Sequence, residues 1–339
     1  MKVLGIETSC DECAAAVVES GEKILSNVIA TQIPFHSIYN GVVPEIASRK
    51  HTEWIYAVVK EALDRAGLGI NDIDAVAVTS RPGLLGSLLV GLSFAKAFAW
   101  ARNIPYITVD HMLAHLYAPR LLCETNVEYP FLGLLVSGGH TIICRADNFD
   151  DITVLGTTID DAAGEAFDKV AKYYGFGYPG GAVIDKMSRS GDSGAFNFPL
   201  PSLHKGDHRY DVSYSGLKTA AVNHPELFRV KKETIKNEDI AASFQKAAVD
   251  ILLRALLNAA EDTGLSTIVA GGGVAANSYL RNCLAQHQEL NCIFPPLELC
   301  GDNAAMIAGI GYHYLARGER SPLNALASAR VVGFKKKYP

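Results

Sequence analysis

One pattern occurs twice in this chain of 339 residues and restricts the fold more than any other feature. Near the start, apolar runs at 3–6, 14–18 and 24–30 read as three strands. The first two are joined by the polar turn Glu7-Thr8-Ser9-Cys10-Asp11-Glu12-Cys13. At 131–136 the pattern restarts. A turn Ser137-Gly138-Gly139-His140-Thr141 follows, then runs at 142–146 and 152–155. Beyond each triplet, strands alternate with helical stretches. This ordering predicts two similar α/β lobes with a cleft between them. The copies share little residue identity, so the duplication is one of pattern.

The run 104–110 reads as a strand that feeds directly into His111-Met112-Leu113-Ala114-His115. Histidines four apart lie on one helical face, about 6 Å apart along the axis, close enough to share an ion. A solvated helix face shows the same spacing. A zinc peptidase needs Glu directly after the first His as base, and Met112 stands there.

Several loops carry chemistry-bearing residues, each with a plainer alternative. The hairpin tip 7–13 is either a solvated turn or a loop that meets phosphate or a cation. Pro82-Gly83-Leu84-Leu85-Gly86 joins a strand to a helix, as anion sites do, but lacks the Lys-Ser/Thr ending of a P-loop. Gly271-Gly272-Gly273, before Asn277, favours a ligand over packing, because three glycines in a row serve packing poorly. Asp160, Asp161, Glu165 and Asp168 read as the opening of a helix, there either for its dipole or to orient hydroxyls or an amine. The stretch 192–215 is rich in Gly, Pro, Ser and His. Its His204, Lys205, His208 and Arg209, with Tyr210 and Tyr214, suit an RNA surface or a solvated excursion. Lys231, Lys232 and Lys236 mark a second charged segment, and Lys335 to Lys337 read as a frayed basic tail.

Composition excludes some classes. No apolar run reaches the roughly 18 residues that cross a bilayer, and the start turns acidic too soon for a signal peptide. A cytoplasmic protein is expected. Seven cysteines include one C-x-x-C, Cys10 and Cys13, but no second pair completes a zinc set. A net charge of −5 argues against nonspecific coating of nucleic acid, though not against a local basic patch.

The order of elements resembles the actin, sugar-kinase and Hsp70 (ASKHA) superfamily. More closely, the sequence resembles the TsaD family, formerly Gcp or YgjD. The stretches that carry the resemblance are Gly5-Ile6-Glu7-Thr8-Ser9-Cys10-Asp11-Glu12, Gly41-Val42-Val43-Pro44-Glu45, Pro82-Gly83-Leu84 and His111 to His115. They continue through Leu135-Val136-Ser137-Gly138-Gly139-His140-Thr141, the run 160–169, Tyr178-Pro179-Gly180-Gly181, the run 213–219, the run 272–277 and Asp302-Asn303. Three positions depart from the pattern: Cys13 and Gly301 where Thr is usual, and Arg81 where Gly is usual.

The resemblance implies a duplicated two-lobe actin-like ATPase fold, with lobes at 1–118, completed by a helix within 303–330, and at 119–302. It implies transfer of a threonylcarbamoyl group from threonylcarbamoyl-AMP to N6 of the adenosine 3′ of the anticodon in tRNAs that read ANN codons. One divalent ion, Fe2+ or Zn2+, is then held by His111, His115 and Asp302. Leu135, Val136, Ser137, Gly138, Gly139, Asp168, Gly181, Asp185 and Asn277 contact the adenylate, with Asp168 and Asp185 on ribose hydroxyls. Asp11 or Glu12 is the candidate base. The implied partners are tRNA, a TsaB-like paralogue as heterodimer, a TsaE-like ATPase and an upstream threonylcarbamoyl-AMP synthase. The competing expectations are a sialoglycoprotease-like metallopeptidase, a small-molecule kinase or ATPase of the same fold, and a non-catalytic nucleotide-binding scaffold.

Overall fold

The computed structural model of the chain describes residues 1–121, 127–203, 208–230 and 236–330, together with the backbone of the short strand Lys335–Lys336. His204, Lys205, Lys231, Lys232 and Lys337 lie outside the described residues. The chain divides into two compact units, Met1–Val127 with Pro295–Phe334, and Glu128–Phe294 with Lys335–Pro339. The first unit therefore extends past residue 118 and takes in Pro295 to Asp302, residues that the resemblance places in the second lobe.

The first unit opens with β1 (Lys2–Glu7), β2 (Glu12–Glu19) and β3 (Lys23–Thr31), a short α1 (Ile33–His36) and a long α2 (Pro44–Ala66). Next come β4 (Ala75–Arg81), α3 (Leu85–Arg102), β5 (Tyr106–Asp110) and α4 (His111–Tyr117). The second unit holds β6 (Phe131–Val136), β7 (Thr141–Ala146), β8 (Ile152–Thr157), α5 (Ala163–Tyr174), α6 (Gly180–Ser188), α7 (Ser215–Asn223) and α8 (Asn237–Thr263). It continues with β9 (Thr267–Gly271), α9 (Ser278–Ala285) and β10 (Asn291–Ile293). The chain then returns to the first unit with α10 (Leu297–Cys300) and α11 (Ala304–Ala316). It ends in the second sheet with β11 (Lys335–Lys336).

Both sheets share one topology. The first runs β3-β2-β1-β4-β5, and the second runs β10-β9-β6-β7-β8-β11. In each, three antiparallel strands meander and the later two pair in parallel beyond the first. The repeated pattern in the sequence is thus a repeated fold. Four of the six residues of β1 and all six of β6 are apolar or glycine-buried rather than alternating, as strands covered on both faces require.

Helix α11 is almost wholly buried against the first sheet. A Cβ on Gly5 would lie 2.2 Å from the Ala304 carbonyl, so only glycine lets the helix start so close to β1. That contact positions Asp302 and Asn303 at the carboxyl end of the strand. Asn303 caps the helix by accepting from the Met306 N–H at 3.0 Å.

Three expectations are corrected. Asp160 and Asp161 precede helix α5 instead of opening it. Asp160 accepts from Ser213 Oγ and from the N–H groups of Tyr214 and Ser215, and Asp161 binds Lys169 and Lys218. Among the described residues of 192–215, Tyr210 and Tyr214 are buried and offer no RNA surface. Phe196, Phe198, Tyr210, Val212 and Tyr214 are buried in the core of the second unit. Val212 bridges Thr158, and Asp211 accepts from the Thr157 N–H, which ties the segment to β8. Arg209 forms a fork on Asp262, and His208 pairs with Asp211. Lys335 and Lys336 are not frayed; they pair in parallel with β8.

Candidate functional site

The first unit assembles one cluster at the carboxyl ends of β1, β4 and β5. Strand β5 ends at Asp110, which caps α4 by accepting from the N–H groups of Met112 at 2.9 Å and Leu113 at 3.4 Å. This cap starts the helix at His111 and points both imidazoles along one face. His111 Nε2 and His115 Nε2 stand 3.1 Å apart. Asp302 Oδ1 lies 3.3 Å from the first and 3.1 Å from the second. The two rings meet edge to face, and both histidines are buried.

These donors fit an ion. Donors about 2.0–2.2 Å from one tetrahedral centre stand roughly 3.3 Å apart, close to the spacing here. Two imidazoles and one carboxylate suit iron(II) or zinc and leave positions open. Among the described residues, this is the one group of His, Cys, Asp and Glu with such convergence.

The electrostatics agree. Burial works against charge on His111, but the Asp302 and Glu7 carboxylates outweigh it and hold the imidazolium well above the usual range. Burial, and then the charge on His111, pushes His115 down. Burial raises Asp302 less than His111 and His115 lower it, so its carboxyl stays ionised. A metal would release the proton that His111 holds.

Asp11 and Glu12 leave the same end of the sheet. The Asp11 carbonyl accepts from the Gln32 N–H, and Glu12 Oε1 accepts from Thr31 Oγ at 3.2 Å. Burial, with the charges of Asp11 and Asp302, pushes the Glu12 carboxyl up to about 9. The hairpin tip is therefore not a solvated turn: Glu7, Thr8, Ser9 and Asp11 are all buried. Glu7, absent from the sequence-based candidates, accepts from His111 Nδ1 at 3.0 Å. Its signal was available as a carboxylate closing an otherwise apolar strand. Of the departures from the family pattern, Arg81 forms an ion pair with Asp110 at 3.2 Å. Cys13 is buried in the core, and Gly301 has open space around its Cα.

The second unit gathers the remaining candidates at the carboxyl ends of β6 and β9. The side chains of Leu135 and Val136 are fully buried, so only their backbone is available. Ser137 closes its turn by donating N–H to the His140 carbonyl at 2.8 Å and accepting from the His140 N–H at 3.1 Å. Side chains on Gly138, Gly139 or Gly181 would meet nothing within 4 Å. Gly272, at φ +93°, would put a Cβ 2.3 Å from the Val136 carbonyl, so this member of the glycine run serves packing. Asp168 Oδ1 accepts from the Gly180 N–H at 2.7 Å. Asp185 accepts from the Ser278 N–H and hydroxyl and from Arg189. Asn277 caps α9 at Leu280 and donates to Gln245. Asp185 and Asn277 thus already brace the start of α9.

Comparison with known proteins extends these observations. Residues 23–309 match the family described as "TsaD: tRNA N6-adenosine threonylcarbamoyltransferase". A relative of that name from Treponema denticola is 68% identical, with 99% of each chain covered. One from Borreliella burgdorferi is 52% identical over 100% of this chain and 96% of its own. Among solved structures, full-length HypF in its phosphate- and nucleotide-bound form is similar with a TM-score of 0.61 at 13% identity, covering 94% of this chain and 47% of its own. The activator of 2-hydroxyisocaproyl-CoA dehydratase from Clostridium difficile, with bound ADPNP, gives 0.52 at 14% identity, covering 96% and 100%. The fold is the duplicated actin-like ATPase fold.

Proposed function

Since this chain belongs to the TsaD family and is a tRNA-modifying transferase that forms threonylcarbamoyl-adenosine, we propose that it takes the acyl group from threonylcarbamoyl-AMP, using one Fe2+ or Zn2+ held by His111, His115 and Asp302. The acceptor in this reading is N6 of the adenosine 3′ of the anticodon in tRNAs that read ANN codons. The observation that carries the metal is the convergence of three donor atoms 3.1–3.3 Å apart in a buried site. When bound, the ion would supply Lewis acidity toward an oxygen of the donor.

The chemistry sets what the chain's own residues must do. Phosphate leaves readily, but the adenine amine is a poor nucleophile because its lone pair is delocalised into the ring. Orientation and charge stabilisation carry the rate. In this reading the N–H groups around Ser137, Gly138 and Gly139 face anionic oxygens, and the backbone of Leu135, Val136 and Gly181 lines the adenylate. Asp168, Asp185 and Asn277 orient the ribose or the helices that hold it. Asp11 or Glu12 removes the amine proton. Glu12, held protonated to about 9 without an ion, must lose that proton before it can serve as the base.

The proposed partners are a TsaB-like paralogue, a TsaE-like ATPase and an upstream synthase, in the cytoplasm. No helix among the described residues is long and apolar enough to cross a membrane. The metallopeptidase alternative lacks its base, since buried Met112 occupies that position. Mass spectrometry of anticodon-loop nucleosides, after reconstitution with synthase, helpers, threonine, bicarbonate and ATP, tests the whole reading. Phosphorylation of a small substrate without tRNA would favour a kinase instead.

A further inference from the structure

We infer that Glu7 is the positioning residue that orients His111 for metal binding. Glu7 ends β1 and is completely buried. Its Oε1 accepts from the Ser9 N–H, and its Oε2 accepts from Thr79 Oγ on β4 and from His111 Nδ1 at 3.0 Å. Three donors from three segments, the farthest 104 residues from Glu7 in sequence, hold one carboxylate rigidly. With Nδ1–H committed to Glu7, the proton that a metal would displace is the one on Nε2, and the lone pair of His111 is then presented there. That is the atom facing His115 Nε2 and Asp302 Oδ1. A carboxylate in this place also makes the ring a stronger donor.

His115 shows the contrast. Its Nδ1 is buried and has no partner among the described residues. That ring is held through Nε2 alone, by His111 and Asp302, whereas a carboxylate also grips His111 at Nδ1. A merely structural carboxylate would not need the imidazole, because Ser9 and Thr79 already satisfy both oxygens and Ser9 Oγ lies 3.3 Å from Nδ1.

This inference rests on the metal reading above. The test is cobalt(II) binding to the purified full chain and to Glu7→Gln, followed by competition with a chelator and by the visible ligand-field spectrum. Glu7→Gln, folded by circular dichroism, is expected to bind roughly 10- to 100-fold more weakly, with a shifted spectrum. Unchanged affinity and spectrum in folded Glu7→Gln would overturn the role of Glu7. Failure of the natural chain to bind cobalt would instead overturn the metal centre itself. Should Glu7→Gln not fold, nitrogen NMR of the zinc-loaded natural chain decides. A retained Nδ1 proton with Nε2 coordinated supports the inference, and coordination through Nδ1 overturns it.

Discussion

Arg81 Nε donates to Asp110 Oδ2 across 3.2 Å, and Asp110 is the cap that starts the histidine helix. This departure from the family pattern therefore acts one step behind the proposed metal site. Asp110→Ala removes the cap and should cost about 0.5–2 kcal/mol of stability, read as a lower denaturant midpoint. Arg81→Gly should cost less, because the guanidinium is 41% exposed and its ion pair is screened. Equal losses from both changes would contradict this ranking.

Removing a ligand should be more damaging to metal retention than any change behind it. Asp302→Asn keeps the side-chain shape but removes the charge facing both histidines. Ion content by elemental analysis should fall to background while circular dichroism stays unchanged. A full complement of ion in Asp302→Asn would exclude this carboxylate as a ligand.

In the metal-free chain the two histidines together should contribute a stability term that is largest near the ordinary histidine pKa of about 6.5. His111 titrates above its unfolded value, so its contribution is complete below about 6.5 and is lost as pH rises through the elevated value. His115 titrates below its unfolded value, so the unfolded chain gains protons first as pH falls, and stability declines on that side. Thermal unfolding of the natural chain and of the histidine variants, on both sides of about pH 6.5, should show this dome as their difference. His111→Gln should flatten its alkaline limb.

Glu12 predicts a second pH effect in the metal-free chain. Between the ordinary carboxyl value and about 9, the folded state holds a proton that the unfolded state has lost, so stability falls as pH rises. Glu12→Gln removes that cost and should raise the unfolding temperature at pH near 8 more than at pH near 5, a window set by that pKa difference. Equal shifts at both values would contradict the half-buried, protonated carboxyl.

Tyr214 separates core from surface. It is fully buried, with its hydroxyl 3.3 Å from the Ala248 carbonyl. Tyr214→Phe should cost about 1 kcal/mol and Tyr214→Ala about 3–5 kcal/mol, while tRNA affinity of the folded Phe variant stays unchanged. Weaker tRNA binding by Tyr214→Phe at natural stability would restore this aromatic to an RNA surface.

What was legible in the sequence follows from physics that acts locally. The buried strands β1 and β6 announce themselves as unbroken apolar runs, and the His111–His115 pair announces a shared helix face. Asp302 was assigned by resemblance alone, because 187 residues separate it from His115. Only the approach of α11 to Gly5 places it. Asp160 and Asp161 read as first-turn carboxylates, but all the partners of Asp160, and Lys218 beside Asp161, lie in a distant segment whose path no local rule supplies. The stretch 192–215 has the composition of a loop, while its docking comes from distant partners: bridges from Val212 to Thr158 and from Phe196 to Arg229, and the burial of Phe196, Phe198, Tyr210 and Tyr214. Glu7 was overlooked because a carboxylate beside a polar turn is usually solvated, and burial became visible only with Thr79 and His111 around it.

The most direct test of the account is the yield of threonylcarbamoyl-adenosine in tRNA as ion is returned to chelator-stripped protein in the reconstituted system. The account predicts negligible product from the stripped chain and from His111→Ala, with the natural chain recovering in step with bound Fe2+ or Zn2+ up to one per chain. Full modification by a chain shown to carry no ion would contradict it.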